Sequence, residues 1–104
     1  MIKNEINLGL NDKDLKIQLV ETDAALEYVY NLAGKMFGGC TVTAGRGIYT
    51  HDDGVQVKEN SFIITVYTES EKENAGLIEY RENLKKHFNQ EAVYINQFYI
   101  NNSL

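Results

Sequence analysis

The periodicity of apolar residues changes along this chain in the order two, helical, two, two, helical, two, and that order leaves few ways to build a core. Ile6, Leu8 and Leu10 alternate with polar neighbours until Asn11-Asp12-Lys13-Asp14 ends the pattern, which reads as a first strand. Leu15, Ile17 and Leu19 alternate again, as in a short strand or extended arm. Behind the capping candidates Thr22 and Asp23, the residues Leu26, Val29, Leu32, Ala33 and Met36 repeat at helical spacing, and Gly38-Gly39 stops that helix. Cys40 to Ala44 alternates once more and runs through Gly45-Arg46-Gly47, where a bend or bulge is expected, to Ile48-Tyr49.

His51-Asp52-Asp53-Gly54 is a hairpin turn signal, because Asp-Gly supplies the positive φ that tight turns need. The strand after it ends in Ser61 to Thr68, the most strongly β-prone run in the chain, so the second and third strands are expected to pair antiparallel. Ser70 and Glu73 have the spacing of a capping box, and Leu77, Leu84 and Phe88 give the second helix its apolar stripe. Ala92 to Ile100 reads as a last strand, followed by a polar tail expected to fray.

Strand, helix, strand, strand, helix, strand is the order of an α+β, ferredoxin-like βαββαβ fold, with two helices on one face of a four-stranded antiparallel sheet. The chain of 104 residues has no proline, repeat or linker-like stretch, so residues 1–104 are expected to form one domain. At that size roughly 65% of the unfolded surface is buried on folding, enough for one modest core.

Charge and cysteine content narrow the partners. A formal net charge of −5 offers no global field for phosphate backbones or anionic lipid, so a nucleic-acid polymer is a poor partner and no membrane is expected. A small anionic or nucleotide ligand remains compatible, since backbone amides and one or two cations form a local site at any net charge. Cys40 is the single cysteine, and no stretch approaches the roughly 20 apolar residues of a membrane span, which fits a reducing cytoplasm.

With helices covering one face of the sheet, Ile63, Tyr67, Tyr94 and Phe98 fall on the other, a patch large enough to be an interface. Burying each such side chain is worth roughly 1.5–3 kcal/mol, which favours a homo-oligomer. The alternatives are an arm of the N-terminal region folded over the face, or a stacking platform for bases, which the acidic charge opposes.

No catalytic constellation stands out. His51 beside Asp52 and Asp53 reads as a solvated turn, and His87 as a cation at a helix C-terminus; neither has metal-ligand spacing. Cys40 reads as a small strand residue, without a histidine or asparagine partner in view. The glycine pairs around Arg46 match neither a dinucleotide fingerprint nor a phosphate loop. Asn11 and Lys13, in the loop after the first strand, are candidate ligand contacts because loops carry function. No cofactor and no metal are implied.

Phe37-Gly38-Gly39-Cys40-Thr41-Val42, the segment Gly45 to Tyr49, the Asp53-Gly54 turn and Phe88-Asn89-Gln90-Glu91-Ala92-Val93 together resemble the signature of a family of small, functionally uncharacterised bacterial and phage proteins. The resemblance spans roughly Leu8 to Ile95, with Tyr49 in place of the family's usual tryptophan and Cys40 where alanine or phenylalanine is common. It implies a ferredoxin-like fold and a phage or mobile-element origin, with no settled activity. By analogy with small phage domains that act by occupying something, Thr41, Thr43, Arg46, Tyr49, Gln90 and Glu91 join the ligand-contact candidates. The expectation is then a non-enzymatic, homo-oligomeric domain that sequesters a nucleotide-type signal in phage counter-defence. Its alternatives are an interaction module that inhibits a host protein and a small dimeric α+β barrel enzyme.

Overall fold

Every second residue of β1 (Ile2–Gly9) is buried, so this strand has one dry face and one open one, and the rest of the molecule is organised around that division. The computed structural model describes residues 1–101. After β1 come α1 (Thr22–Phe37), β2 (Thr41–Thr50), β3 (Gln56–Thr68), a single 3₁₀ turn at Glu71–Glu73, α2 (Asn74–His87) and β4 (Tyr94–Tyr99). The strands lie in the order β2-β3-β1-β4, all antiparallel, which is the ferredoxin-like arrangement. Both helices pack on one face. No helix among the described residues is long and apolar enough to cross a membrane.

Ile6, Leu8, Phe62, Ile64 and Val66 supply the sheet side of the core, and Ala25, Val29, Ala33, Leu77, Tyr80 and Leu84 supply the helix side. Tyr80 is buried whole; its hydroxyl donates to the Val29 carbonyl oxygen at 3.0 Å, tying α2 to α1. Burial pushes that phenol's pKa up. Asn4 is the polar exception on the dry face of β1. Its amide donates to Val66 O (2.9 Å) and Thr68 Oγ1 (3.0 Å), and its Oδ1 accepts from Gln97 Nε2 (2.8 Å), so burial leaves it satisfied.

The ends of elements depart from the sequence reading in instructive ways. The residue before α1 is Glu21, with no side-chain cap, and Thr22 instead accepts from Gln18 Nε2 at 3.0 Å. Ser70 accepts from Lys72 N (3.3 Å) and Glu73 from Glu69 N (3.0 Å), so the capping residues close a 3₁₀ turn and α2 begins only at Asn74. Gly38, at φ 83°, ends α1 as expected. The predicted bulge at Gly45-Arg46-Gly47 is absent, since β2 pairs with β3 without interruption from Thr41–Thr65 to Thr50–Gln56. Leu15, Ile17 and Leu19 form no strand; a lone bridge joins Asn11 to Gln18 and the three apolar side chains are exposed. His87 is the last residue of α2, exposed, with its ring stacked on Tyr28 at 3.6 Å. The expectation for the tail falls mainly on residues 102–104, outside the described ones.

Ile63, Tyr67, Tyr94 and Phe98 all lie on the helix-free face and are exposed. They form two cross-strand rows, Ile63–Asn7–Tyr94 and Tyr67–Lys3–Phe98.

Candidate functional site

The β2–β3 hairpin outruns β1, and this mismatch creates the site. Pairing of β1 with β3 ends at Gly9–Ser61, whereas β2 continues along β3 from Arg46–Asn60 to Thr50–Gln56. The loop after β1 and the loop before β4 close in beside the overhang. Leu10 N donates to Asn60 O at 3.0 Å, Asn11 Nδ2 to Lys58 O at 3.1 Å, and Gln90 Nε2 to Asn11 O at 2.6 Å. Between these loops and the helix-free face lies a cavity of ≈ 280 Å³.

The two loops are locked to one another. Asp12 folds its own loop by accepting from the amides of Asp14 (3.0 Å) and Leu15 (2.9 Å), and the Leu15 bond is the main reason its carboxyl is held below the usual 3.8. Asn89, in the left-handed region at φ 49°, donates its side-chain amide to Asp12 Oδ1 (2.8 Å) and Asp14 Oδ2 (2.9 Å). Its carbonyl accepts from Lys13 N at 2.9 Å. Lys16 then reaches Asp53 at 2.7 Å and ties the same loop to the hairpin turn.

At the cavity's rim Glu91 joins two elements. One carboxylate oxygen accepts from the Tyr49 hydroxyl at 2.5 Å and the other faces His51 Nδ1 at 3.1 Å. Hydrogen bonds from Tyr49 and His51 hold the Glu91 carboxyl below its usual range, while the same bond raises the Tyr49 phenol to about 12. An ionised Glu91 has only lone pairs to offer, so the proton between it and His51 belongs on Nδ1. The His51 ring also packs edge-on against Tyr49, with centroids 5.0 Å apart.

A second carboxylate lies on the sheet. Glu59 faces the cavity from β3 and accepts from Asn11 N at 2.9 Å. Its carboxylate rests over Gly9, at a spot where any Cβ on residue 9 would collide with it. Tyr94 closes the opposite side of the cavity.

Of the ligand-contact candidates, Asn11, Lys13, Tyr49, Gln90 and Glu91 meet around this cavity. Arg46 is not among them; it lines a separate, open groove on the other side of the hairpin with Lys16 and Lys58. Thr41 and Thr43 lie toward the far end of β2, opposite Thr65 and Ile63. Sequence reasoning overlooked His51 and Glu59. His51, read as a solvated turn, is 4% exposed because Glu91 and the loop around residue 13, distant in sequence, close over it. Glu59 was legible in principle, since alternation along β3 puts it on the same face as Ser61 and Ile63. Cys40 is half-buried, and burial pushes its thiol pKa up, away from nucleophile chemistry. No group of three or more His, Cys, Asp or Glu among the described residues is placed to hold a metal ion.

Comparison with known proteins places the chain by fold. The model of a family described as "Protein of unknown function (DUF3574)" matches residues 3–101. Among solved structures, a phage SAM lyase in complex with S-methyl-5′-thioadenosine superimposes with a TM-score of 0.73 at 24% identity, covering 93% of this chain and 79% of that one. The apo state of a phage SAM lyase gives 0.75 at 21% identity over 93% and 78%. A DUF3240 family protein from Shewanella baltica gives 0.52 at 11% identity over 98% and 96%. At these identities the likeness is one of fold. No curated protein matches the sequence.

Proposed function

The chain belongs to the DUF3574 family of proteins of unknown function, and from that premise we propose that it takes up S-adenosylmethionine in the cavity beside the β2–β3 overhang and cleaves it to S-methyl-5′-thioadenosine. The observation that carries this reading is the pair of fixed carboxylates, Glu59 and Glu91, set among the aromatic rings of Tyr49 and Tyr94 in one small cavity. A sulfonium nucleoside is a cation with a flat aromatic base, and such a ligand needs carboxylates for its charge and rings for its base and sulfonium. The fold shared with the phage SAM lyase supports the same choice.

In the proposed step the bond between sulfur and the aminobutyrate arm breaks, and its electron pair stays on sulfur, which becomes a neutral thioether. The arm's carbon regains electrons either from its own carboxylate, by ring closure, or from a neighbouring C–H bond whose proton passes to a base. Glu59 and Glu91 line the cavity, and each is able to take that proton. Tyr49, whose phenol stays protonated with its pKa near 12, holds Glu91 in orientation. Charge is annihilated in the ring-closing route, which a site shielded from water favours.

The same proposal carries two further parts. The exposed rows Ile63–Asn7–Tyr94 and Tyr67–Lys3–Phe98 are the contact between copies, and because Ile63 and Tyr94 also line the cavity, assembly would shield it. Removal of a cellular methyl donor suits a phage counter-defence role.

The test is incubation of purified protein with S-adenosylmethionine, with chromatography and mass spectrometry of the products. Thioadenosine accumulating with wild type, and at least tenfold more slowly with Glu59→Gln and Glu91→Gln, is the expected result. Stoichiometric binding without consumption would turn the reading to sequestration. Neither binding nor consumption would overturn it.

A further inference from the structure

A second, polar cavity adjoins the first, and nothing in the proposed cleavage accounts for it. It is an open space of ≈ 450 Å³ between the loop at residues 13–16 and the hairpin turn, and it shares Lys13, His51 and Glu91 with the first cavity. The two are therefore neighbouring chambers with Glu91 on the wall between them. Their linings differ: the first mixes apolar and aromatic side chains with polar ones, whereas every residue of the second carries an ionisable side chain.

The charges of the second chamber are only partly matched. Lys16 and Asp53 satisfy each other at 2.7 Å, and Asp14 is engaged by Asn89 at 2.9 Å. Lys13 has no carboxylate within ion-pair distance among the described residues, and neither has Asp52 a cation. His51 lines the same space. It is 4% exposed, its Nδ1 is committed to Glu91, and its Nε2 is the one buried side-chain nitrogen or oxygen among the described residues without a hydrogen-bond partner. A free ammonium and a free carboxylate around one space describe the complement of a zwitterion.

We propose that this second chamber is the seat of an α-amino-acid arm, with Lys13 receiving the arm's carboxylate and Asp52 its ammonium group. The inference rests on the reading of the first cavity as a nucleoside site. It makes the whole site bipartite, nucleoside in one chamber and amino acid in the other, with the sulfur between them beside Glu91. It also gives Lys13 a specificity role: it distinguishes a nucleoside that carries an amino-acid arm from one that has lost it, so the thioether product is released more readily than the substrate. Lys13 contributes its backbone N–H to the loop clamp, and its side chain is free of that duty.

The experiment is isothermal titration of wild type, Lys13→Met and Lys13→Arg with two neutral probes, S-adenosylhomocysteine and S-methyl-5′-thioadenosine. The first keeps the zwitterionic arm and lacks the sulfonium, so it is not cleaved; the second lacks the arm. Wild type should bind S-adenosylhomocysteine at least tenfold more tightly than thioadenosine, since a hydrogen-bonded charge pair is worth about a factor of ten or more. Lys13→Met should remove that preference, weakening S-adenosylhomocysteine at least tenfold more than thioadenosine, and Lys13→Arg should restore most of it. Equal affinities in wild type, or a loss in Lys13→Met that falls equally on both probes, would overturn the second chamber while leaving the first intact. Failure of wild type to bind either probe would overturn the nucleoside reading, and this inference with it.

Discussion

An alanine at position 9 would put its Cβ 2.6 Å from Cδ and 2.7 Å from Oε2 of Glu59, where ordinary contact begins at 3.4 Å. Glu59 Oε1 would stand closer still, so the carboxylate must withdraw by about 1 Å, and a movement of that size away from Asn11 breaks its bond from Asn11 N. Losing that bond at a half-exposed carboxylate costs about 1 kcal/mol. Alanine in place of glycine in a strand returns roughly 0.5–1 kcal/mol of conformational entropy, so the net change in stability stays within about 1 kcal/mol. The melting temperature should therefore move by no more than about 4–8 °C. The cavity, by contrast, loses one of its two fixed carboxylates, and kcat/KM for S-adenosylmethionine should drop at least tenfold, as for Glu59→Gln. Thermal unfolding by circular dichroism and product chromatography on the same preparation measure both quantities. An unchanged melting temperature with undiminished kcat/KM would refute the role given to Glu59. A far larger loss of stability would show that Gly9 serves the fold rather than the site.

Four more perturbations separate fold from site. Gly47 lies on the cavity wall with nothing within 4 Å of where a Cβ would stand, so Gly47→Val should project into the cavity, raise strand stability by up to about 1 kcal/mol and block the ligand, read by unfolding and titration together. Tyr80→Phe removes a hydroxyl from the buried α1–α2 contact and should cost about 1 kcal/mol, or 4–8 °C, with ligand affinity unchanged, because the Val29 carbonyl keeps its intrahelical partner. Asp12 has a folded-state pKa below 3.8, so its contribution to stability is present above that value and lost as pH falls through the lower, folded one. Urea midpoints of wild type and Asp12→Asn should accordingly differ at neutral pH and converge in acid. Phe98→Asp puts a charge into an exposed row of the open face and should convert an oligomeric mass in native mass spectrometry to that of a single chain, while a monomeric wild type would refute the interface.

How much of this was legible in the sequence depended on the range of the interaction involved. β1, the α1 stripe and the β3 run are set by alternation of neighbours, and a single sequence carries such patterns in full. The open-face rows were legible for the same reason, since parity along β3 and β4 assigns Ile63, Tyr67, Tyr94 and Phe98 to one side. Caps were read less well: Ser70 and Glu73 have capping-box spacing, yet a 3₁₀ turn satisfies the same groups one turn earlier than the helix. The site was half legible. Asn11, Lys13, Tyr49, Gln90 and Glu91 were singled out from loops and motifs, but nothing local tells that the loop at residue 89 must close over the turn at residue 51. His51 looks solvated beside two aspartates and is buried because Glu91, forty residues on, and the loop around residue 13 close over it. Arg46 drew attention as a cation between glycines; alternation along β2 turns it away from Tyr49 and onto the opposite face.

A sheet face normally has no cavity, because side chains from adjacent strands fill it, and the exception here has an identifiable cause. The overhanging half of the hairpin presents Gly47 where a side chain would stand, and β1 ends in Gly9 beside it. The missing side chains leave room, and Glu59 uses part of it by lying flat over Gly9. The space that remains is bounded by a carboxylate on the sheet, a carboxylate on the loop before β4, Lys13 and two tyrosines, so two carboxylates stand against one lysine. The chain's net charge of −5 has the same sign. An anionic ligand would meet repulsion both at long range and at the wall, whereas a cationic nucleoside is favoured at each stage. In the folded chain Gly9 makes room for the Glu59 carboxylate and Gly47 leaves the wall beside it open, which suits the proposed cationic ligand better than an anion.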